Sequence, residues 1–293
     1  MEMKQLEYFI AIVEQGSISK AAEFLHMAQP PLSRQLKMIE EELGEQLFDR
    51  SSKKHLIITP QGELLYTKAK ALVFQLADSL LEVKELSKEI TGTLKLGSTI
   101  YCSKILLDSL QTFRKEYAKI KFSLLEGSSS YLITQLTNHQ IDLAITSETP
   151  QSTQFNLAYL EVSPCVLVAS KAHFTFKKDI TLAELADLPL ILLKPLEGSG
   201  LFKQILTTFA EHHLTPNILC ECRDSAMLMK LVNMGVGVSI LPQTMTMDDH
   251  NLATYNILDT PWTIHPALIW RKESYLSKAN QELVDLIQSI HTF

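Results

Sequence analysis

Gln29-Pro30-Pro31-Leu32-Ser33-Arg34-Gln35 opens the stretch whose reading decides the fold of this chain. Leu32, Leu36 and Ile39 recur at helical spacing and supply one apolar face. Gln29, Ser33, Arg34 and Lys37 then fall on the outward side. Proline is tolerated in a first helical turn, where its missing N–H has no partner anyway. The helix runs to about Leu43, and Gly44 stops it. Upstream, Leu6, Phe9, Ile10 and Val13 mark an amphipathic helix that Gly16 ends, and Ser17 or Ser19 can cap the next. That short second helix carries Ala21, Ala22, Phe24 and Leu25, and its two small alanines allow close crossing by a neighbour. A brief turn at His26 to Ala28 completes a helix, turn, helix pattern of the kind that sets its second helix in the major groove of DNA.

The outward residues suit that task. Arginine bonds guanine O6 and N7 bidentately, glutamine reads adenine, and serine binds phosphate or a base edge. Leu47 to Arg50 and Leu56 to Thr59 read as two short strands around a tip at Ser51 to His55. With Arg50, Lys53 and Lys54, this is a basic wing suited to backbone or minor-groove contact. A formal net charge of −6 argues against a nucleic-acid ligand, but two basic clusters, Arg34 with Lys37 and Arg50 with Lys53 and Lys54, concentrate positive charge locally. Each cation taken singly is an ordinary surface residue; the joint pattern is what points to DNA.

The stretches Leu6-Glu7-Tyr8-Phe9, Gly16-Ser17-Ile18, Ala21-Ala22, Gln29-Pro30, Leu32-Ser33-Arg34-Gln35, Leu47-Phe48-Asp49-Arg50 and Thr59-Pro60-Gln61-Gly62 together resemble the DNA-binding domain of the LysR-type transcriptional regulators. Two departures stand at the groove-facing end: Ala28, where the family often has serine, and Pro31, a second proline. The resemblance implies contacts from Gln29, Pro30, Pro31, Ser33, Arg34, Lys37, Arg50, Lys53 and Lys54 to double-stranded DNA.

Thr59-Pro60 starts a long helix with little to break it until Thr91-Gly92. Leu65, Ala69, Leu72, Leu76, Ser79, Val83, Leu86 and Ile90 alternate four and three residues apart, a heptad seam with one polar lapse. The seam either meets a partner helix or packs on the chain's own remaining residues. The resemblance implies the former: a linker helix that dimerises through Leu65, Ala69, Leu72, Leu76, Val83 and Leu86, so that two heads read a dyad-symmetric promoter site. It also implies a tetramer and an effect on DNA bending, and RNA polymerase is an expected partner.

From Leu94 strands alternate with helices, which predicts parallel sheets with covering helices. Strands are expected at Leu94–Gly97, Lys121–Glu126, Ile141–Ile145, Cys165–Ala169, Leu190–Leu193, Ile218–Cys222, Val236–Ile240 and Ala267–Trp270, with helices at Ile105–Tyr117 and Tyr131–Asn138. Two such groups give two lobes, with crossings near Val162-Ser163 and His265-Pro266. Gly92-Thr93-Leu94-Lys95-Leu96-Gly97, Ile141-Asp142-Leu143-Ala144-Ile145 and Gly235-Val236-Gly237-Val238-Ser239-Ile240 resemble the same family's periplasmic-binding-protein-like effector domain. Asn138-His139-Gln140 lacks the glycine often found before the second of these. The fold class is thus α/β: a winged helix-turn-helix domain at 1–59, a linker helix at 60–91, and a two-lobed effector domain at 92–293, with lobe I at 92–162 and 266–293 and lobe II at 163–265.

Ligands of such sheets settle beyond the carboxyl ends of the strands. Those ends carry hydroxyls: Ser98-Thr99, Ser128-Ser129-Ser130 and Thr146-Ser147, with Gly198 to Phe202 and Arg223 to Ser225 facing from lobe II. A small, anionic effector bound by Ser98, Thr99, Ser128, Thr146, Phe202 and Ser225 follows, set against the plainer role of capping helices.

Other classes find little support. The nine histidines form no His-x-x-x-His and the four cysteines no Cys-x-x-Cys, no nucleophile elbow or phosphate-cradling loop occurs, and neither a catalytic residue, a metal nor a cofactor is expected. Cys102, Cys165, Cys220 and Cys222 read as reduced, packed thiols, with a redox sensor as the alternative. No leader or membrane span is read, so a cytoplasmic location is expected, which also sets aside a secreted solute receptor.

Overall fold

The computed structural model describes residues 1–49, 56–86, 90–150, 152–176, 179–194, 200–246 and 249–292. They fall into two compact units, Met1–Ser87 and Lys88–Phe293. In the first, α1 (Met3–Gln15), α2 (Ile18–Phe24) and α3 (Gln29–Leu43) enclose Phe9, Ile12, Ala21, Ala22, Leu32, Leu36 and Ile39. Gly16 and Gly44 end α1 and α3 with φ of 63° and 70°, a left-handed turn that favours glycine.

The start of α3 links the two departures from the family pattern. Ala28 is the N-cap and makes no side-chain cap, and the next three positions are Gln29, Pro30 and Pro31. A capping serine would accept from the N–H of the second or third helical residue. Both are prolines here, so serine at 28 has nothing to cap, and alanine loses little.

β1 (Phe48–Asp49) and β2 (Ile57–Ile58) pair antiparallel, Phe48 opposite Ile58, which provides the two strands of the wing. Its tip, with Arg50, Lys53 and Lys54, lies outside the described residues. Glu40 is only 4% exposed and accepts the Leu47 N–H at 3.0 Å, tying α3 to the wing. α4 (Pro60–Glu85) starts where Thr59 accepts the Gly62 N–H at 3.1 Å and donates its hydroxyl to the Gln46 carbonyl at 2.8 Å. Tyr66 and Lys70 of α4 meet the Glu14 carboxylate at 3.0 and 3.1 Å, fastening α4 to α1.

The seam on α4 is divided by this packing. Leu65 packs on the head core and Ala69 is fully buried, so both are occupied within their own chain. Leu72, Leu76, Val83 and Leu86 are 50%, 42%, 65% and 76% exposed. Ser79, the polar lapse, returns its hydroxyl to the Gln75 carbonyl at 2.9 Å.

The second unit has two lobes. In the first, β3 (Gly92–Ser98), β4 (Ile120–Glu126), β5 (Leu143–Thr146), β6 (Phe155–Tyr159) and, after the return of the chain, β14 (Ala267–Arg271) form one sheet in the order β4-β3-β5-β14-β6. α5 (Ser103–Glu116), α6 (Ser129–Thr137) and α10 (Lys278–His291) cover it. In the second, β7 (Ser163–Ser170), β8 (Asp179–Ile180), β11 (Ser239–Pro242), β12 (Leu252–Ile257) and β13 (Thr263–Ile264) form a sheet beside the parallel pair of β9 (Leu190–Leu193) and β10 (Ile218–Cys222). α7 (Leu182–Ala186), α8 (Gly200–Glu211) and α9 (Ser225–Asn233) complete this lobe.

The expectation of parallel sheets needs correction: each large sheet is mixed. β3 runs parallel to β4 and β5, but β14 is antiparallel to β5 and β6, and β7 is antiparallel to β11, β12 and β13. β14 enters from the other lobe without a crossover helix, so the handedness rule that keeps β-α-β units parallel does not act on it. The strand expected at Val236–Ile240 begins later, at Ser239, and β6, β8, β12 and β13 are additional. No described helix is long and apolar enough to cross a membrane.

Candidate functional site

Two groups of residues stand out, one in each unit. On α3, Gln29, Pro30, Pro31, Arg34 and Lys37 are exposed and Ser33 is partly so, while Leu32, Leu36 and Ile39 are buried beneath them. One helix therefore presents all six expected residues on its outer side. Their engagements differ. Lys37 pairs with Glu41 at 3.2 Å one turn on, and Gln29 accepts from Ser19 at 3.3 Å. Arg34 has no side-chain partner among the described residues, so its five donors are open to an acceptor such as a guanine edge.

The second group lies at the carboxyl edge of the first-lobe sheet. Ser98 sits opposite Ile145 in the β3–β5 ladder, the Thr99 N–H donates to the Ile145 carbonyl at 2.9 Å, and the Gly127 N–H donates to the Ser98 carbonyl at 3.2 Å. That register brings Ser98, Thr99, Ser128 and Thr146 to one edge. Most of these hydroxyls are already engaged. Ser98 donates to the Thr99 carbonyl at 2.9 Å, Thr146 donates to the Glu148 carbonyl at 2.9 Å, and Ser128 caps α6 by accepting the Tyr131 N–H at 3.2 Å. Thr99 differs: it is 3% exposed, and its hydroxyl has only the weakly bonding Cys102 thiol beside it.

Phe202 and Ser225 lie on the second lobe, in the first turns of α8 and α9. Residues that were not singled out join the lobes here. The Tyr101 hydroxyl reaches the Leu193 carbonyl across them at 3.4 Å, and burial, followed by the nearby Cys165, raises its pKa. Lys194, just past β9, stands 5.4 Å over the Phe202 ring and 2.5 Å from Glu221. Its place directly after a predicted strand was the available signal. Glu126, at the end of β4, has a raised pKa through burial and then the negative charge of Asp224 on the other lobe. An anion at this edge is therefore favoured near Lys194 and disfavoured near Glu126. An open pocket of about 500 Å³ runs separately along α8 and Pro261, between Glu148, Lys203 and Glu211, and none of the predicted effector residues lines it.

All four cysteines are free. Burial pushes the Cys102 and Cys165 thiols up to about 12, which leaves them protonated and poorly reactive near neutrality. Among the described residues no three His, Cys, Asp or Glu side chains gather as a metal site.

Residues 3–63 match the family described as bacterial regulatory helix-turn-helix protein, lysR family, and residues 87–290 match the LysR substrate binding domain. The chain is 41% identical over 290 residues to the HTH-type transcriptional regulator BsdA of Bacillus subtilis, covering 98% of this chain and 100% of that protein. It is 30% identical to AlsR of the same organism, covering 88% and 86% of the two. Among solved structures, full-length CbnR complexed with its target DNA shares the fold with a TM-score of 0.67 at 22% identity, covering 99% of both chains. A full-length OxyR variant from Pseudomonas aeruginosa does so with a TM-score of 0.73 at 23% identity, covering 98% and 95%. With a regulatory helix-turn-helix at one end and an effector-binding domain at the other, the chain belongs to the LysR family of DNA-binding transcriptional regulators and is not an enzyme.

Proposed function

We propose that this regulator binds a dyad-symmetric promoter site as a dimer, and that a small anionic effector held between the lobes of residues 92–293 shifts its hold on DNA. The observation that carries the effector site is Thr99, a buried hydroxyl without a full partner where Ser98, Ser128 and Thr146 converge. A buried polar group left unpaired costs about 1–3 kcal/mol, which a ligand acceptor there would recover. Lys194 supports an anion through the positive charge that it shares with Glu221, and Phe202 beside it offers an apolar surface to the rest of the ligand. In this reading residues 1–59 contact DNA through Gln29, Pro30, Pro31, Ser33, Arg34 and Lys37, with Arg50, Lys53 and Lys54 on the wing. The linker at 60–91 pairs two chains through Leu72, Leu76, Val83 and Leu86. A tetramer, RNA polymerase as a partner and a cytoplasmic location fit the same reading.

The mechanism is a population shift. A ligand moves an equilibrium only by its differential affinity for the two arrangements, so the effector must contact one lobe arrangement better than the other. Small molecules that co-purify with the protein, identified by mass spectrometry and returned by calorimetric titration, test the site. Binding that weakens in Ser98→Ala and Thr99→Ala, with a gel shift on DNA upstream of the protein's own gene that responds to the same compound, is the expected result. Titration unchanged by both substitutions overturns the site, and a gel shift indifferent to the compound overturns the switch.

A further inference from the structure

Ser19, one of two residues able to cap α2, does not cap it: Ser17 holds the N-cap position. The Ser19 hydroxyl donates instead to the Gln29 Oε1 at 3.3 Å, across the turn between α2 and α3. Gln29 is the first residue of α3, on its exposed side. An amide has two ends of opposite character, and a groove tells them apart. With Oε1 engaged by Ser19, the end left without a partner among the described residues is Nε2, which only donates.

We infer that Ser19 is a positioning residue that sets which base Gln29 reads, biasing it towards keto bases and away from adenine. A free glutamine reads adenine bidentately, donating to N7 and accepting from the N6 amino group. Once Oε1 is held by Ser19, the acceptor half of that pairing is compromised, and the adenine amino group faces a donor. Guanine presents N7 and O6 and thymine presents O4, all acceptors that suit this Nε2, whereas cytosine offers only a donor. Ser19 thus acts without touching a base. The inference rests on reading the exposed side of α3 as the groove-facing one.

The test is selection of duplexes from a randomised library by the full-length protein, with S19A, S19T and Q29A beside the unsubstituted chain. Q29A identifies the base position that Gln29 reads. At that position the unsubstituted protein should favour guanine or thymine. S19A should raise adenine against them on the order of fivefold or more, the lower end of what one base contact discriminates, and leave other positions unchanged. S19T keeps the hydroxyl and should keep the original preference. A preference for adenine or cytosine in the unsubstituted protein overturns the inference, since the end that reads is then Oε1. So does an S19A profile that is unchanged, or flattened evenly at every position, or reproduced by S19T. If no sequence is enriched at all, the groove-facing reading fails with it. If enrichment persists but Q29A alters no position, only the role of Gln29 fails.

Discussion

The two candidate sites are built on opposite plans. On α3 the polar groups Gln29, Arg34 and Lys37 stand in solvent above a buried apolar row, whereas Ser98, Thr99 and Thr146 are 4%, 3% and 0% exposed. A reading face of the first kind is desolvated only by its partner, so its residues bear on affinity and hardly on folding. An enclosed edge must satisfy its polar groups within the protein before any ligand arrives. Ser98 and Thr146 do so through neighbouring carbonyls, and Thr99 does not.

The largest expected effects test whether the two units stand apart. Phe9 in the head is 0% exposed and Trp262 in the effector unit 2%, the latter donating its Nε1–H to Thr208 at 3.0 Å. Phe9→Ala and Trp262→Ala should each cost about 3–5 kcal/mol, read by calorimetry as an early transition confined to one unit. A single transition that moves as a whole in both variants would erase the distinction.

Two glycines sharpen the contrast at the next level. A Cβ on Gly62 would lie 2.3 Å from the Leu47 carbonyl oxygen, while one on Gly97 would meet the tips of Ile141 and Leu132 at 2.7 Å. Backbone cannot yield where side-chain ends can. Gly62→Ala should therefore destabilise by about 2–3 kcal/mol and Gly97→Ala by about 1 kcal/mol, within the usual range of overpacking. Equal melting-temperature losses would contradict this.

Arg34→Ala and Thr99→Val set the plans directly against each other. The first should leave unfolding within about 0.5 kcal/mol and weaken specific DNA binding by about 1–3 kcal/mol in a gel shift. The second removes a buried hydroxyl with only the weak Cys102 thiol beside it, at constant shape, so it should stabilise the free protein by up to about 1 kcal/mol while effector affinity falls. Loss of stability in Thr99→Val would mean that its hydroxyl is already satisfied.

The smallest effect concerns pH. Burial holds the His291 imidazole below its ordinary value of 6.5, against the opposing pull of Asp108 and then Glu161. The fold accommodates the neutral ring, so its contribution is intact above the ordinary value and is lost as pH falls through the lowered one. Melting temperatures compared between about pH 7.5 and 5.5 should fall less in His291→Gln than in the unsubstituted protein. An equal fall would remove His291 from the account.

How much was legible follows the same division. The bounds of α3, its buried row and the glycine stops were readable because all three depend on residues a few positions apart. Glu40 was not: its neighbours Glu41, Glu42 and Glu45 are exposed, yet it is buried where the chain returns and its carboxylate accepts the Leu47 N–H. Lys194 follows a strand end that was readable, but its pairing with Phe202 and Glu221 joins three separate elements. β6 and β12 were missed, and both are strands whose partners, β14 and β7, lie far along the chain.

The sequence by itself determined the helix-turn-helix, the long helix after Thr59 and the presence of two α/β lobes, since periodicity, caps and breakers act locally. Even the pairing of Ala28 with Pro31 is a local matter of which N–H groups exist to be capped. Tertiary structure alone decided strand direction, which seam residues of α4 remain uncovered, and which hydroxyl at the strand edge is left with no more than a weak thiol partner. Those outcomes depend on burial and pairing between distant segments, and only the folded chain brings such segments together.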